Sequence, residues 1–236
     1  MNDSTLRAVL LDLYGTLAVI PSESYRSAKL GMADALGCEP QAFQEAWRSL
    51  STMSTRGELR STTDRVRATL AIIGGKSEPS AIEAAAAIEQ ELQESAVRLL
   101  PGAIDCLSRL QSTGAPLALV TNCSSAAARV PELLGIRPYF KTTVLSFEVG
   151  AVKPEPRIYE VACERLQALP AQCIFAGDGD CNELDGALAM GMVAIRVLGT
   201  ESVALHLGGS DAQTHSVNGL SALTTLVLGL LTGSSQ

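Results

Sequence analysis

Hydrophobic positions fall into two rhythms along this chain. The first is the short unbroken run. Ala8–Leu11, Leu117–Val120, Thr143–Leu145, Cys173–Ala176 and Val193–Val197 are each three to five residues, mostly Val, Ile, Leu or Ala. Runs this apolar suit strands at the centre of a parallel sheet, where both faces are covered. The second is helical spacing, over about Ala103–Ser112, Ser125–Leu134, Pro156–Gln167 and Asn182–Met190. Gly114 and Gly135 follow the first two as stop signals, and Pro156 suits a first helical turn. Strand and helix alternate, which predicts an α/β domain with a doubly wound, Rossmann-like parallel sheet.

Residues 18–98 break the alternation. They hold no good strand run. "SAKLGMADALG", "QAFQEAWRSLSTM", "TTDRVRATLAIIGG" and "PSAIEAAAAIEQELQESAVRLL" read as four helices separated by Gly, Pro and Ser. The expected organisation is a core of residues 1–17 and 99–236 with a helical cap inserted at 18–98. Long excursions after a strand are commonly lids over a site, so the cap is expected to close as a rigid body. Its hinges are expected near Leu17–Ser22 and Leu99–Gly102. Thr200–Asn218 is polar and Gly-rich, which predicts a loop and a short edge strand before a last helix, Leu220–Leu231.

Composition narrows the class. Apolar residues make up 47% of the chain, enough for a real core. The net charge of -7, with no Lys/Arg block, argues against nucleic-acid or anionic-membrane binding. No basic segment leads into an apolar run at the N-terminus, so no signal peptide is expected, and no run is long enough to span a bilayer. Six scattered cysteines without a CxxC pair read as reduced thiols of a cytoplasmic protein. His206 and His215 read as surface or loop residues. The expected assembly is a monomer or homodimer.

In an open parallel sheet, ligands bind beyond the carboxyl ends of the strands. Those positions are unusually polar here. Asp12, Tyr14, Gly15 and Thr16 follow the first run. Thr121 and Asn122 follow the second. Lys153 follows the third through "FEVGAVKPEP". Gly177, Asp178, Gly179, Asp180 and then Glu183 follow the fourth. A carboxylate behind "AVLL" is costly unless something holds it. Two carboxylates brought together repel unless a cation sits between them, and Mg2+ suits an all-oxygen donor set. Thr121 and Lys153 offer a hydroxyl and a point charge to an oxyanion.

"VLLDLYGTL", "LVTN", "VKPEPRIYEVACERL" and "IFAGDGDCNELDGALAMGM" resemble, in order, the four motifs of the haloacid dehalogenase-like hydrolase superfamily. The resemblance covers almost the whole chain, cap included. It implies that Asp12 is a nucleophile forming a covalent aspartyl intermediate. It implies Mg2+ held by Asp12, the Tyr14 carbonyl and Asp178, with Glu183 acting through water and Asp180 a competing acid. It also implies that Thr121 and Lys153 grip a phosphoryl group. Thr16 and Asn122 are further candidates for substrate contact. On the cap, Arg56 and Arg60 in "STRGELRST" could meet an anionic leaving group. The substrate implied is a small phosphorylated metabolite.

Tyr14 departs from the phosphatase pattern, which has a second Asp there as general acid and base. A phenol, with an ordinary pKa near 10, is a poor base at neutral pH. Asp-x-Tyr-Gly-Thr is also the first motif of the metal-free 2-haloacid dehalogenases, where a halide leaves without protonation. Their fourth motif resembles Ser-Ser-Asn, whereas this chain has "AGDGD". Their cap carries a halide-binding arginine, a place Arg48 in "AWRSL" matches. Three readings stand at this point: a Mg2+-dependent phosphatase, a dehalogenase, and a weakly active or non-catalytic homologue.

Overall fold

The structure is a computed structural model that describes residues 5–199 and 215–233. Eight strands are present among the described residues. They are β1 (Ala8–Leu11), β2 (Ala18–Val19), β3 (Arg98–Leu99), β4 (Leu117–Thr121), β5 (Thr142–Leu145), β6 (Cys173–Gly177), β7 (Val193–Leu198) and β8 (His215–Asn218). Six form one sheet in the order β5-β4-β1-β6-β7-β8, with every neighbouring pair parallel. The chain winds outward from β1 in both directions. The crevice beyond the end of β1 is therefore the place where the winding reverses.

Side chains alternate along each strand, so each apolar run serves two cores. Val9 and Leu11 of β1, with Leu119, Ile174, Ala176 and Ile195, pack against Leu107, Leu110, Leu223 and Val227 from helices Ala103–Ser112 and Gly219–Thr232. Ala8 and Leu10, with Ala118, Val120, Phe175 and Ala194, pack against Ile158, Tyr159 and Ala162 of helix Pro156–Leu166. The last helix and the edge strand fall where the sequence predicts them. His215 is exposed on that edge, and His206 lies outside the described residues. Among the described residues no helix is long and apolar enough to cross a membrane.

Between β2 and β3 the chain forms helices Ser22–Ala35, Pro40–Ser49, Ser51–Thr55, Thr62–Ile72 and Pro79–Glu91, then a π-helical turn, Leu92–Ala96. Met32, Phe43, Trp47, Val66, Leu70, Ile82 and Ala85 give this unit a core of its own. The expected helix through "QAFQEAWRSLSTM" breaks at Leu50. Arg65 Nη2 donates to the Trp47 carbonyl at 2.8 Å, the acceptor that an unbroken helix would reserve for the Ser51 amide. The expected helix Ser125–Leu134 is likewise two short turns, Ser125–Ala127 and Val130–Leu133. Pro131 cannot sit inside a helix, so it opens the second turn instead. The two-residue strands β2 and β3, too short to show a period, pair antiparallel at the base of the unit.

Candidate active site

The β1 ladder runs up to the carboxylate residue itself. The Asp12 amide donates to the Ala176 carbonyl of β6 at 3.0 Å, and the Asp12 side chain is buried. Gly15, at φ 82°, turns the chain back over the strand end. From the adjacent strand, β6 delivers Gly177-Asp178-Gly179. Gly177 admits a close approach: a Cβ there would stand 1.9 Å from Glu183 Oε1, and the Glu183 carboxylate would have to move. Helix Glu183–Ala189 then points its first residue back into the site. Tyr159 fixes that turn by donating to the Glu183 carbonyl at 2.6 Å.

The centre is an ammonium among acids. Lys153 Nζ donates to Asp12 Oδ1 and to Glu183 Oε2, at 2.5 Å each. Oxygens of Asp12, Asp178 and Glu183 lie within 4.8 Å of one another. Fully ionised, the three carboxylates and one ammonium would sum to -2, the charge that one divalent cation cancels. Burial pushes the Asp178 carboxyl up to about 6, with the Asp12 charge second. Burial also pushes Glu183 up to about 8 against the pull of Lys153. Burial works against charge on Lys153 as well, yet Asp12 and Glu183 hold its ammonium above the ordinary range.

Glu183 commits both oxygens, one to Lys153 and one to the Gly179 amide at 3.1 Å. Asp180 does not join the three: its Oδ1 accepts from the Cys181 amide at 2.8 Å. Thr16 and Thr121 are fully buried, and each hydroxyl lacks a partner. An unmade hydrogen bond at a buried polar atom costs on the order of 1–3 kcal/mol, which a bound oxyanion would recover. These orphaned hydroxyls and the all-oxygen cluster fit Mg2+ and phosphate.

Other sequence candidates fall elsewhere. Asn122 is committed to the Lys153 backbone, donating to its carbonyl at 3.1 Å and accepting from its amide at 2.8 Å. It therefore positions the lysine loop. Arg56 is ion-paired with Glu155 of the sheet domain. Arg48 and Arg60 are exposed. Arg48 does not line the cavity described next; its neighbour Trp47 does.

Tyr14 turns away from the acids. Its hydroxyl donates to Gln93 Oε1 in the π-helical turn at 2.8 Å, and burial pushes its phenol well above the usual range. It forms one wall of a cavity of about 180 Å3 between the strand ends and the helical unit. Asn122, Cys123 and Ser124 line it from the sheet side, and Tyr25, Trp47, Arg65, Glu89 and Gln93 from the helices. Two further bonds hold the halves together: Ser146 Oγ donates to the Thr55 carbonyl at 2.7 Å, and Gln90 Nε2 to the Ala126 carbonyl at 3.3 Å. Arg65, Glu89 and Gln93 were not among the sequence candidates. Each sits in a helix or in the π-helical turn that follows one, and only packing reveals its direction.

A family model described as haloacid dehalogenase-like hydrolase matches residues 6–191. The chain is 30% identical over 200 residues to a glyceraldehyde 3-phosphate phosphatase of Methanopyrus kandleri, covering 81% of this chain and 84% of that protein. It is 34% identical over 106 residues to phosphoglycolate phosphatase of Escherichia coli, covering 44% and 42%. Among solved structures, the L-2-haloacid dehalogenase from Xanthobacter autotrophicus shares the fold at TM-score 0.66 and 19% identity, covering 95% of this chain and 99% of that one. A HAD phosphatase from Thermococcus onnurineus does so at TM-score 0.65 and 20% identity, covering 94% and 98%.

Proposed function

The chain belongs to the haloacid dehalogenase-like hydrolases, and within that family we propose that it is a Mg2+-dependent phosphatase of a small phosphorylated metabolite, working through an aspartyl-phosphate on Asp12. The observation that carries this reading is the cluster of Asp12, Asp178 and Glu183 around Lys153. Three carboxylates this close can ionise together only with a cation beside them, whereas halide displacement wants no such acids. The phosphatases among its relatives support the same choice.

Asp12 attacks phosphorus as the bond to the leaving oxygen breaks, that oxygen takes a proton from water, and a second water then hydrolyses the acyl phosphate, restoring the Asp12 carboxylate and releasing inorganic phosphate. Asp12, Asp178 and the Tyr14 carbonyl would hold the metal, with Glu183 behind them. The chemistry that Mg2+ supplies in such a site is charge neutralisation on the transferring phosphoryl oxygens. Lys153 holds the nucleophile's carboxylate by a hydrogen bond and offers its charge to the same oxygens. The unpaired hydroxyls of Thr16 and Thr121 donate to them. Residues 18–98 act as the cap that excludes water.

The test is phosphate release from p-nitrophenyl phosphate and a metabolite panel, with Mg2+ and with EDTA, beside Asp12→Asn. Turnover that needs Mg2+ and vanishes in the variant upholds the reading. Tyr14 favours one second reading, dehalogenation, because its hydroxyl is engaged by Gln93 and cannot serve a leaving oxygen. Halide release from 2-chloropropionate, unaffected by EDTA and without phosphate release, would replace the phosphatase reading.

A further inference from the structure

The cavity beyond Tyr14 has a charge that the phosphoryl site does not explain. Arg65 lines it at 8% exposure. Its guanidinium stacks over the Trp47 ring, with Cζ 4.0 Å from the centroid. Nη2 donates to the Trp47 carbonyl at 2.8 Å and to Ser51 Oγ at 3.0 Å. Nε is buried and has no partner. Among the described residues no carboxylate stands within ion-pair distance of this guanidinium.

The one acid on the cavity wall is already engaged. Glu89 forms a buried ion pair with Lys29, and its other oxygen accepts from Gln93 Nε2 at 3.5 Å. Lys29, Glu89 and Arg65 together leave one uncancelled positive charge against Trp47 and Tyr25. A buried charge is costly unless it is paired. The missing partner is an anion, and it must be small. About 180 Å3 is the room of about six waters. Its wall includes Tyr14, two residues after Asp12, and Asn122, the residue after Thr121, so the cavity lies next to the phosphoryl site, on the side where a leaving group would extend.

Resting on the phosphatase reading, we propose that Arg65, stacked on Trp47, receives a carboxylate at the leaving-group end of the substrate, so that the preferred substrates are short phosphorylated carboxylic acids. A planar carboxylate matches the planar guanidinium. A neutral polyol would leave the Arg65 charge uncancelled.

The experiment compares matched pairs: phosphoglycolate against 2-hydroxyethyl phosphate, and 3-phosphoglycerate against glycerol 3-phosphate. The wild type is expected to show kcat/KM at least ten-fold higher for each acid. Arg65→Gln should bring each ratio to within about two-fold of one, chiefly through KM. Equal rates within the pairs in the wild type overturn the proposal. So does an Arg65→Gln that lowers both members alike, the mark of a residue that only ends a helix. If no ester releases phosphate, the phosphatase reading falls, and the carboxylate site is read directly. Trp47 is the single tryptophan of the chain and reports on the cavity. Saturable change of its fluorescence with glycolate, lost in Arg65→Gln, upholds the site; no response in the wild type overturns it.

Discussion

Replacing Lys153 with methionine keeps the length of the side chain and removes its charge. Asp12 and Glu183 each lose a 2.5 Å bond, and three carboxylates within 4.8 Å are left without their internal cation. Removing one partner of a buried ion pair costs about 3–5 kcal/mol. That is a large part of a total stability of about 5–15 kcal/mol. With a urea m-value of about 2–3 kcal/mol/M, the midpoint should fall by about 1–2.5 M in EDTA at pH 8.5. The deficit must also depend on pH. Burial raises the Glu183 pKa from an unfolded value of 4.5 to about 8. Between those values the folded state binds more protons than the unfolded one, so this group makes stability fall as pH rises. Without Lys153 the folded pKa goes higher still and the loss extends upward in pH. The deficit of Lys153→Met should therefore be smallest near pH 5.5, where Glu183 is neutral, and largest above pH 8. A deficit below about 1 kcal/mol, or one that is the same at both pH values, would refute the reading of Lys153 as the cation that makes this cluster stable.

Tyr14→Asp should raise turnover of alkyl phosphates, by up to the 10²–10⁴-fold that is roughly typical of general acid–base catalysis, and should shorten any burst of leaving group seen by stopped flow; unchanged turnover would show that Tyr14 is no obstacle. Asp178→Asn removes one of the crowded acids, so the metal-free protein should melt no lower than the wild type while losing the upward shift in Tm on adding Mg2+; a retained shift would put the metal elsewhere. Gly57→Ala should cost about 1–3 kcal/mol in urea unfolding, because its Cβ would stand 2.2 Å from the Phe147 carbonyl and its φ is 73°; a neutral outcome would mean that the loop does not dock there.

Much of this site was legible because sheet strands announce themselves. Four apolar runs end on polar residues, and topology brings Asp12, Thr121, Lys153 and Asp178 to one edge. What stayed hidden depends on direction within helices. Arg48 and Trp47 are adjacent in sequence, yet one helical step of about 100° sends one to solvent and the other into the cavity wall. Arg65 sits in "TDRVRAT", where nothing local separates it from Arg67, which is half-exposed and paired with Asp64. The break at Leu50 is a tertiary event, caused by a guanidinium from another helix. The break before Val130 was visible in Pro131, whose missing amide no periodicity can override.

The small ribbon of β2 and β3 has a wider consequence. Ala18 faces Leu99 and Val19 faces Arg98, so everything between leaves and rejoins the sheet domain at one doorway. Opposed antiparallel residues stand about 5 Å apart. A foreign segment whose ends are equally close can be spliced in at this doorway without moving Asp12. The helical unit is thus a cassette in the genetic sense. Recombination can exchange this helical unit while Asp12, Asp178, Glu183 and Lys153 at the strand ends are inherited together.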